Sequence, residues 1–177
     1  MHRHLQQGWN LQRYLLLAYV AIGFMGAMGA HTLQLPTSII NAVLPHAHTL
    51  SQLATAAWNP DGARSWFATM LLLGIAWTVP LALAFSRGVV GGSIGSVLLR
   101  YLPLAAVCLF LAWAFVDGLG LWIPDLVGRG GRTASMVQLV VGSAYSLGLY
   151  GSILMLVATV LACMPFGMLF VLGKRRD

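Results

Sequence analysis

Four long apolar stretches with almost no charged residues constrain this chain more than any other feature of its sequence. The 177 residues include 10 Lys and Arg, 4 Asp and no Glu, and 59% of them are hydrophobic. Uncharged runs such as residues 65–86 and 133–173 reach the roughly 20 residues that a helix needs to cross about 30 Å of hydrocarbon. We therefore expect an integral membrane protein whose solvent is the bilayer.

The expected architecture is a single all-α transmembrane domain over residues 1–177, with four transmembrane helices. Backbone amides find no water partners in lipid, so each span must be a helix. We place the spans at about residues 14–35, 66–85, 98–121 and 136–172. The last would be about 54 Å long as one straight helix. We expect one long helix that bends near Pro165 and starts outside the membrane, and we disfavour two helices there.

Positive charges predict the orientation of the four spans. Seven of the ten basic residues fall on one side of this topology and three on the other, which predicts that both termini are cytoplasmic in a bacterial inner membrane. The larger group is Arg3, Arg13, Arg87, Arg100, Lys174, Arg175 and Arg176, and the smaller is Arg64, Arg129 and Arg132. The net charge of +6 is accounted for by cytoplasmic ends beside anionic lipid, so we expect no nucleic-acid partner.

The first outer loop, residues 36–60, is predicted to contain two short amphipathic helices. Its apolar residues recur at helical spacing on both sides of a break at Pro45. In contrast, residues 87–100 contain four glycines near their start and are expected to form a flexible cytoplasmic turn. The aromatic rings of Trp58 and Trp66 are expected at the outer membrane interface.

Stripes of small residues mark candidate helix contacts. Small side chains let helix backbones approach closely in lipid, either within the bundle or between copies of the chain. One stripe lies on span four and two lie on span one; the residues are Ala144, Gly148 and Ser152, then Gly23 with Ala27, and Gly26 with Ala30.

Asp117 and His31 form the candidate ion or proton site. Asp117 is the one carboxylate within an apolar span, and counting along the helices places both residues near the outer boundary of the hydrocarbon. Ionisable groups at such depth are functional hypotheses by default. The alternative is that Asp117 ends span three and faces water.

Two further groups of residues carry weaker hypotheses. His46 and His48 form a His-x-His pair, which is a weak candidate metal site because it has no Cys or Glu partners nearby in the sequence. Cys108 and Cys163 are single cysteines in spans three and four, expected to be ordinary packing residues. No cofactor is predicted.

Several function classes lack the residues that they require. The chain has no Cys-x-x-Cys pair, no His in spans two to four and a single intramembrane Asp, which excludes thiol redox centres, haem ligation between spans and paired-aspartate proteolysis. Our leading hypothesis is a non-catalytic subunit of a larger bacterial inner-membrane assembly of secretion, conjugation or respiratory type. Its partners would be the lipid bilayer and other membrane subunits or copies of itself.

Two alternatives remain open from the sequence. The first is a small transporter or self-assembling channel, in which Asp117 and serine hydroxyls of span four line a path. The second is a quinone-reactive or other membrane enzyme that uses His31 and Asp117 at the outer face.

Overall fold

The computed structural model describes residues 2–29, 35–88, 93–119 and 130–173, and these residues form helices and no strands. Four of the helices are long and apolar enough to cross a membrane, which confirms the all-helical class and the expected number of membrane-length helices. Their membrane-length parts are Asn10–Met28, Pro60–Ser86, Ile94–Gly118 and Ala144–Gly173.

We number the helices in chain order. The last long helix, α7, combines a short α-helical start at Ala144–Ser146, a π-helical turn at Leu147–Gly151 and the α-helix Ser152–Gly173. Helix α5 likewise ends in a π-helical turn at Ala114–Gly118. The others are α1 (His2–Met28), α2 (Thr37–Val43), α3 (His48–Thr55), α4 (Pro60–Gly88), α5 (Ile94–Trp113 before its π turn) and α6 (Arg132–Val141).

Helices α1, α4 and α7 form the packed centre of the molecule, and α5 lies at its edge. Helix α4 packs along α7 and α1, and the start of α7 packs against α1. Helix α5 packs mainly on α7 and presents large apolar side chains outward, including Leu99, which is 85% exposed. Such exposure is unremarkable for a helix that faces lipid, because hydrocarbon solvates apolar side chains.

The two short helices α2 and α3 lie at one end of the bundle. They flank a single 3-10 turn at Leu44–His46, so the predicted break at Pro45 is present. Helix α3 packs against the start of α4, the π-helical end of α5 and helix α6. Leu44, Leu50 and Ala54 are almost fully buried there, which explains the helical spacing of apolar residues in this segment.

Local capping determines where two of the long helices begin. The Asn59 side chain accepts a hydrogen bond from the Gly62 amide at 3.2 Å, Pro60 occupies the first turn, and Asp61 adds a favourable negative charge. At α5, the Ser93 hydroxyl accepts from the Ser96 amide at 3.3 Å. The turn expected over residues 87–100 is therefore shorter, since α5 already begins at Ile94.

The fourth span differs from the expected single long helix. The segment breaks at Gly142 and Ser143, and α6 is a separate helix before α7. Ser143 is extended, and its hydroxyl accepts from the Ser146 amide at 3.1 Å, which caps the new helix. The Trp58 amide donates to the Val141 carbonyl at 3.1 Å and so satisfies the end of α6. The α-helix of α7 then runs through Pro165 without interruption.

Candidate functional site at the Asp117 corner

Asp117 lies in the π-helical turn that ends α5, and its carboxylate points toward the loop helices. One oxygen, Oδ1, accepts a hydrogen bond from the backbone amide of His48 at 3.1 Å. The other, Oδ2, accepts from the indole Nε1 of Trp113 at 3.2 Å. The Asp117 carbonyl also accepts from the Thr49 hydroxyl at 3.2 Å. We call these four residues the Asp117 corner.

The Asp117 corner supplies a helix cap from a distant part of the chain. His48 is the first residue of α3, whose opening amides have no partner within the helix. Ala47, the residue before it, offers no side-chain acceptor. A carboxylate at this position satisfies a free amide and is favoured by the helix dipole. Asp117 therefore ties α5 to α3 across 69 residues of sequence.

Gly118 makes room for the Trp113 indole in this corner. A Cβ atom at Gly118 would lie 2.6 Å from Cζ3 of the Trp113 ring. Because glycine has no Cβ, the indole lies over the helix backbone and its N–H reaches the carboxylate four residues later. The π-helical turn and the glycine together position the acid.

The imidazole of His48 contributes less to the corner than its backbone does. Its Nε2 atom lies 4.0 Å from Asp117 Oδ1, at the limit for an ion pair, and its side chain is 53% exposed. Ion pairs with this exposure contribute little to stability. His46 is also exposed, and the described part of the chain contains no group of three His, Cys, Asp or Glu side chains that could hold a metal ion.

His31 and Ala30, two residues singled out from the sequence, lie outside the described residues. The pairing of His31 with Asp117 therefore stays a prediction. Any such pairing would have to share the Asp117 carboxylate with the donors from His48 and Trp113.

The structure brings the small residues of span one and span four together. A Cβ atom at Gly23 would overlap the Ser152 side chain, and one at Gly148 would lie 3.2 Å from the Ala27 Cβ. The stripes Gly23–Ala27 and Gly148–Ser152 thus face each other inside one molecule. Gly26 is half-buried.

Ala144 is half-buried at the start of α7, and Ser152 is fully buried. The Ser152 hydroxyl has no hydrogen-bond partner among the described residues. The hydroxyls of Ser143 and Ser146 lie 2.9 Å apart at the start of α7 and hydrogen-bond to each other. The serine hydroxyls of this span therefore take part in capping and close packing.

The sequence pattern did not predict the hydrogen bonds between the long helices. Trp66, expected at the interface, is 1% exposed, and its Nε1 donates to the Gly23 carbonyl at 2.9 Å. Trp77 Nε1 donates to the Leu15 carbonyl at 3.1 Å. These bonds join α4 to α1 at two levels. The only indication in the sequence was the residue type, because the N–H of a Trp inside a span needs a hydrogen-bond acceptor.

Tyr19 and Thr159 form a second polar contact in the bundle centre. The Tyr19 hydroxyl donates to the Met70 carbonyl at 3.1 Å and lies 3.4 Å from the Thr159 hydroxyl, so it connects three helices. Thr159 also donates to the Met155 carbonyl at 2.8 Å. Gly74 leaves space for both hydroxyls.

The two cysteines have different packing partners. Cys108 of α5 lies with its Sγ atom 3.4 Å from Sδ of Met164. Cys163 packs instead with Leu81 and Ala82 of α4. Both cysteines are reduced and buried.

A groove opens sideways between α4 and α5, with α7 as its floor. Its volume is about 100 Å³, and we call it the lateral groove. Small or short side chains form much of its lining, and they leave the space between the three helices unfilled. They are Gly74, Thr78, Ala112, Ala158, Thr159 and Ala162.

Comparisons with protein-family models, with curated proteins and with solved structures found no match for this chain. The geometry alone therefore supports the functional proposal.

Proposed function

We propose that this chain is a non-catalytic integral subunit of a larger bacterial inner-membrane assembly, of secretion, conjugation or respiratory type. The observation that carries the proposal is the lateral groove. A helix of a neighbouring subunit would place one apolar side chain in this groove and pack against the open side of α5.

The chemistry of the groove lining favours a protein helix as the occupant. Helix association in lipid depends on close packing, because lipid tails solvate apolar surface as well as another helix does. Ala112, Ala158 and Ala162 offer an indented surface on two helices, where a larger side chain would otherwise prevent close approach. A cavity of about 100 Å³ is below the 150 Å³ or so that holds a benzene molecule, so it suits part of one aliphatic side chain.

The role of Asp117 supports a non-catalytic function. Both of its carboxylate oxygens accept hydrogen bonds, one from a helix end and one from an indole. A carboxylate engaged in this way holds α3 in place, and a catalytic or ion-carrying role would require it to exchange these partners.

Native mass measurement after gentle extraction from the original membrane tests this proposal. We expect the wild-type chain to be recovered with foreign subunits in fixed ratio. Ala112→Leu fills the groove and should remove them. Ala21→Leu is the matched control, because it makes the same change at an exposed position of a membrane-length helix, α1, that does not line the groove.

Each other outcome contradicts the proposal. A closed complex of identical chains would favour the channel alternative. A monomer from every extraction would contradict the proposal that the chain is a subunit of a larger assembly. Equal complexes with Ala112→Leu and Ala21→Leu would show that the lateral groove does not hold the partner.

We also propose that the N-terminus, residues 87–100 and the C-terminus lie on the cytoplasmic side. The support is the seven-to-three distribution of basic residues. In a chain with Cys108 and Cys163 replaced by Ser, a new cysteine at Gly92 should react with a membrane-impermeant maleimide only after the membrane is opened. Labelling in intact cells would show that residues 87–100 lie outside, which is the opposite orientation.

A further inference from the structure

Sulfur atoms from two helices meet where α5 packs on α7. The Cys108 Sγ atom of α5 lies 3.4 Å from the Met164 Sδ atom of α7. Met168 is one helical turn further along α7 and lies on the same face as Met164, because both line one small cavity. Cys108 and Met168 are buried. A thiol and two thioethers, which we call the sulfur cluster, therefore lie close together inside the bundle.

Residues of three described helices line the cavity beside the sulfur cluster. Its volume of about 10 Å³ is close to the space that one water molecule needs. Ala105 and Cys108 are both buried and share one face of α5, because they are three positions apart. The cavity therefore suits a single ion held by the neighbouring sulfur atoms, and it is too small for an organic molecule. Its lining residues are Phe85 of α4, Tyr101, Leu104 and Ala105 of α5, and Met164 and Met168 of α7.

The ligand chemistry of the sulfur cluster favours a soft monovalent metal ion. Thiolate and thioether ligands are soft donors that select Cu(I), whereas Mg²⁺ and Ca²⁺ bind oxygen ligands, which the cluster does not contain. Charge points to the same ion. The thiolate of Cys108 would neutralise one positive charge, and a neutral site is the least costly inside a membrane. A divalent ion would leave a net positive charge on the same three ligands.

We propose that the sulfur cluster binds one Cu(I) ion, with the Cys108 thiolate and the thioethers of Met164 and Met168 as its three ligands. Metal–sulfur bonds are about 2.3 Å long, so two sulfur ligands of a trigonal ion lie about 4 Å apart. The 3.4 Å pair reaches this spacing by a small movement of the Met164 side chain, which is unbranched and flexible. On binding, the S–H bond of Cys108 breaks, a Cu–S bond forms and the proton passes to solvent. Copper remains Cu(I), so no electron is transferred.

Competition with a chromophoric Cu(I) chelator tests the sulfur cluster in the full-length protein in detergent, without oxygen. We expect one Cu(I) ion per chain and a higher melting temperature on binding, because the ion joins α5 to α7 in the folded state only. Met164→Leu and Met168→Leu nearly conserve volume, and each should weaken binding at least about tenfold, the lower end of losses at metal sites. Cys108→Ser should abolish it. Cys163→Ser is the matched control, because Cys163 is also buried but packs on α4.

Thermal unfolding without copper checks that each variant folds, and Cys108→Ala replaces Cys108→Ser where the serine variant does not. Wild-type affinity in both methionine variants would show that a thiol alone binds the ion, and would overturn the proposal. An equal loss in Cys163→Ser, or no saturation at one ion per chain, would contradict it as well. Ag(I), another soft monovalent ion, should displace Cu(I). Displacement by an equal concentration of Zn²⁺ would show that the site does not select a soft monovalent ion.

Discussion

The centre of the bundle and helix α5 are attached to the rest of the molecule in different ways. Helices α1, α4 and α7 meet through glycine contacts and are linked by buried N–H and O–H donors, such as Trp66 to the Gly23 carbonyl. Helix α5 packs mainly on α7 through apolar side chains and Cys108. Its hydrogen bonds to α3 lie at its end, where Asp117 accepts from the His48 amide and from the Thr49 hydroxyl.

The difference shows how a helix is held when burial of apolar surface gives no advantage. Lipid solvates apolar side chains, so close packing and polar contacts must decide which helices stay together. Helices α1, α4 and α7 have both close packing and polar contacts along their length. Among the described residues, the hydrogen bonds from helix α5 to α3 are concentrated at one end, and large apolar side chains along the rest of the helix are exposed to lipid or to another helix.

The largest expected effect on stability comes from overpacking the close contact between α1 and α7. Gly23→Leu would place carbon atoms on the Ser152 side chain and within 2.8 Å of Met70 Cε. We expect a loss of about 3 kcal/mol in unfolding free energy, at the upper end of overpacking effects. Thermal unfolding in detergent measures it. Gly95→Leu, where a Cβ would meet nothing within 4 Å, is the control. An equal loss in both variants would contradict the close contact.

The same leucine truncation in the two regions tests the comparison directly. Leu147→Ala leaves a cavity at a fully buried position in the centre, and we expect a loss of about 2 kcal/mol from lost packing contacts. Leu99→Ala on α5 should change stability by less than about 0.5 kcal/mol. Denaturant unfolding in mixed micelles gives both values. A large effect at Leu99 in the isolated protein would mean that α5 is packed more tightly than its exposure indicates.

Removal of the Asp117 carboxylate should loosen the joint between α5 and α3. Asp117→Ala leaves the His48 amide and the Trp113 indole without their acceptor, and we expect a loss of about 1.5 kcal/mol. Hydrogen exchange should accelerate at the first amides of α3 and stay unchanged in the centre of α4. Asp117→Asn retains one acceptor oxygen and should lose less. Unchanged exchange in α3 would show that the cap does not hold this helix.

A double-mutant cycle between Asp117 and His31 would extend this result. Independent effects of Asp117→Asn and His31→Ala would place His31 outside the Asp117 corner. A coupling energy beyond the error would support the pairing that the sequence predicts.

The smallest effect concerns a single hydroxyl in the centre. Tyr19→Phe removes the donor to the Met70 carbonyl and the contact with Thr159, and we expect a loss of about 1 kcal/mol, typical of hydrogen bonds between membrane helices. Tyr145→Phe, at a tyrosine that is 71% exposed, serves as the control. Similar melting temperatures for both variants would show that the central hydroxyl contributes no stability.

The sequence by itself determined the all-helical class of the chain and the number of its membrane-length helices. Hydrocarbon thickness sets a minimum span length, and unpaired backbone amides are too costly in lipid for any structure other than a helix. The two short helices around Pro45 were also predictable, because apolar residues at helical spacing appear between polar ones on either side of a proline. These features depend on local composition and period.

Only the tertiary structure decided which groups meet. The sequence placed Asp117 near a membrane boundary, but its partners come from α3, 69 residues away, and helix rotation cannot be read from a nearly uniform apolar span. Trp66 illustrates the same limit, because an interfacial ring and a buried donor have the same sequence pattern. The break at Gly142 and Ser143 was obscured by continuous apolar sequence, and it forms because a serine cap and the Trp58 amide satisfy the freed backbone groups. Long-range polar partners, which hydropathy does not encode, therefore determined the site.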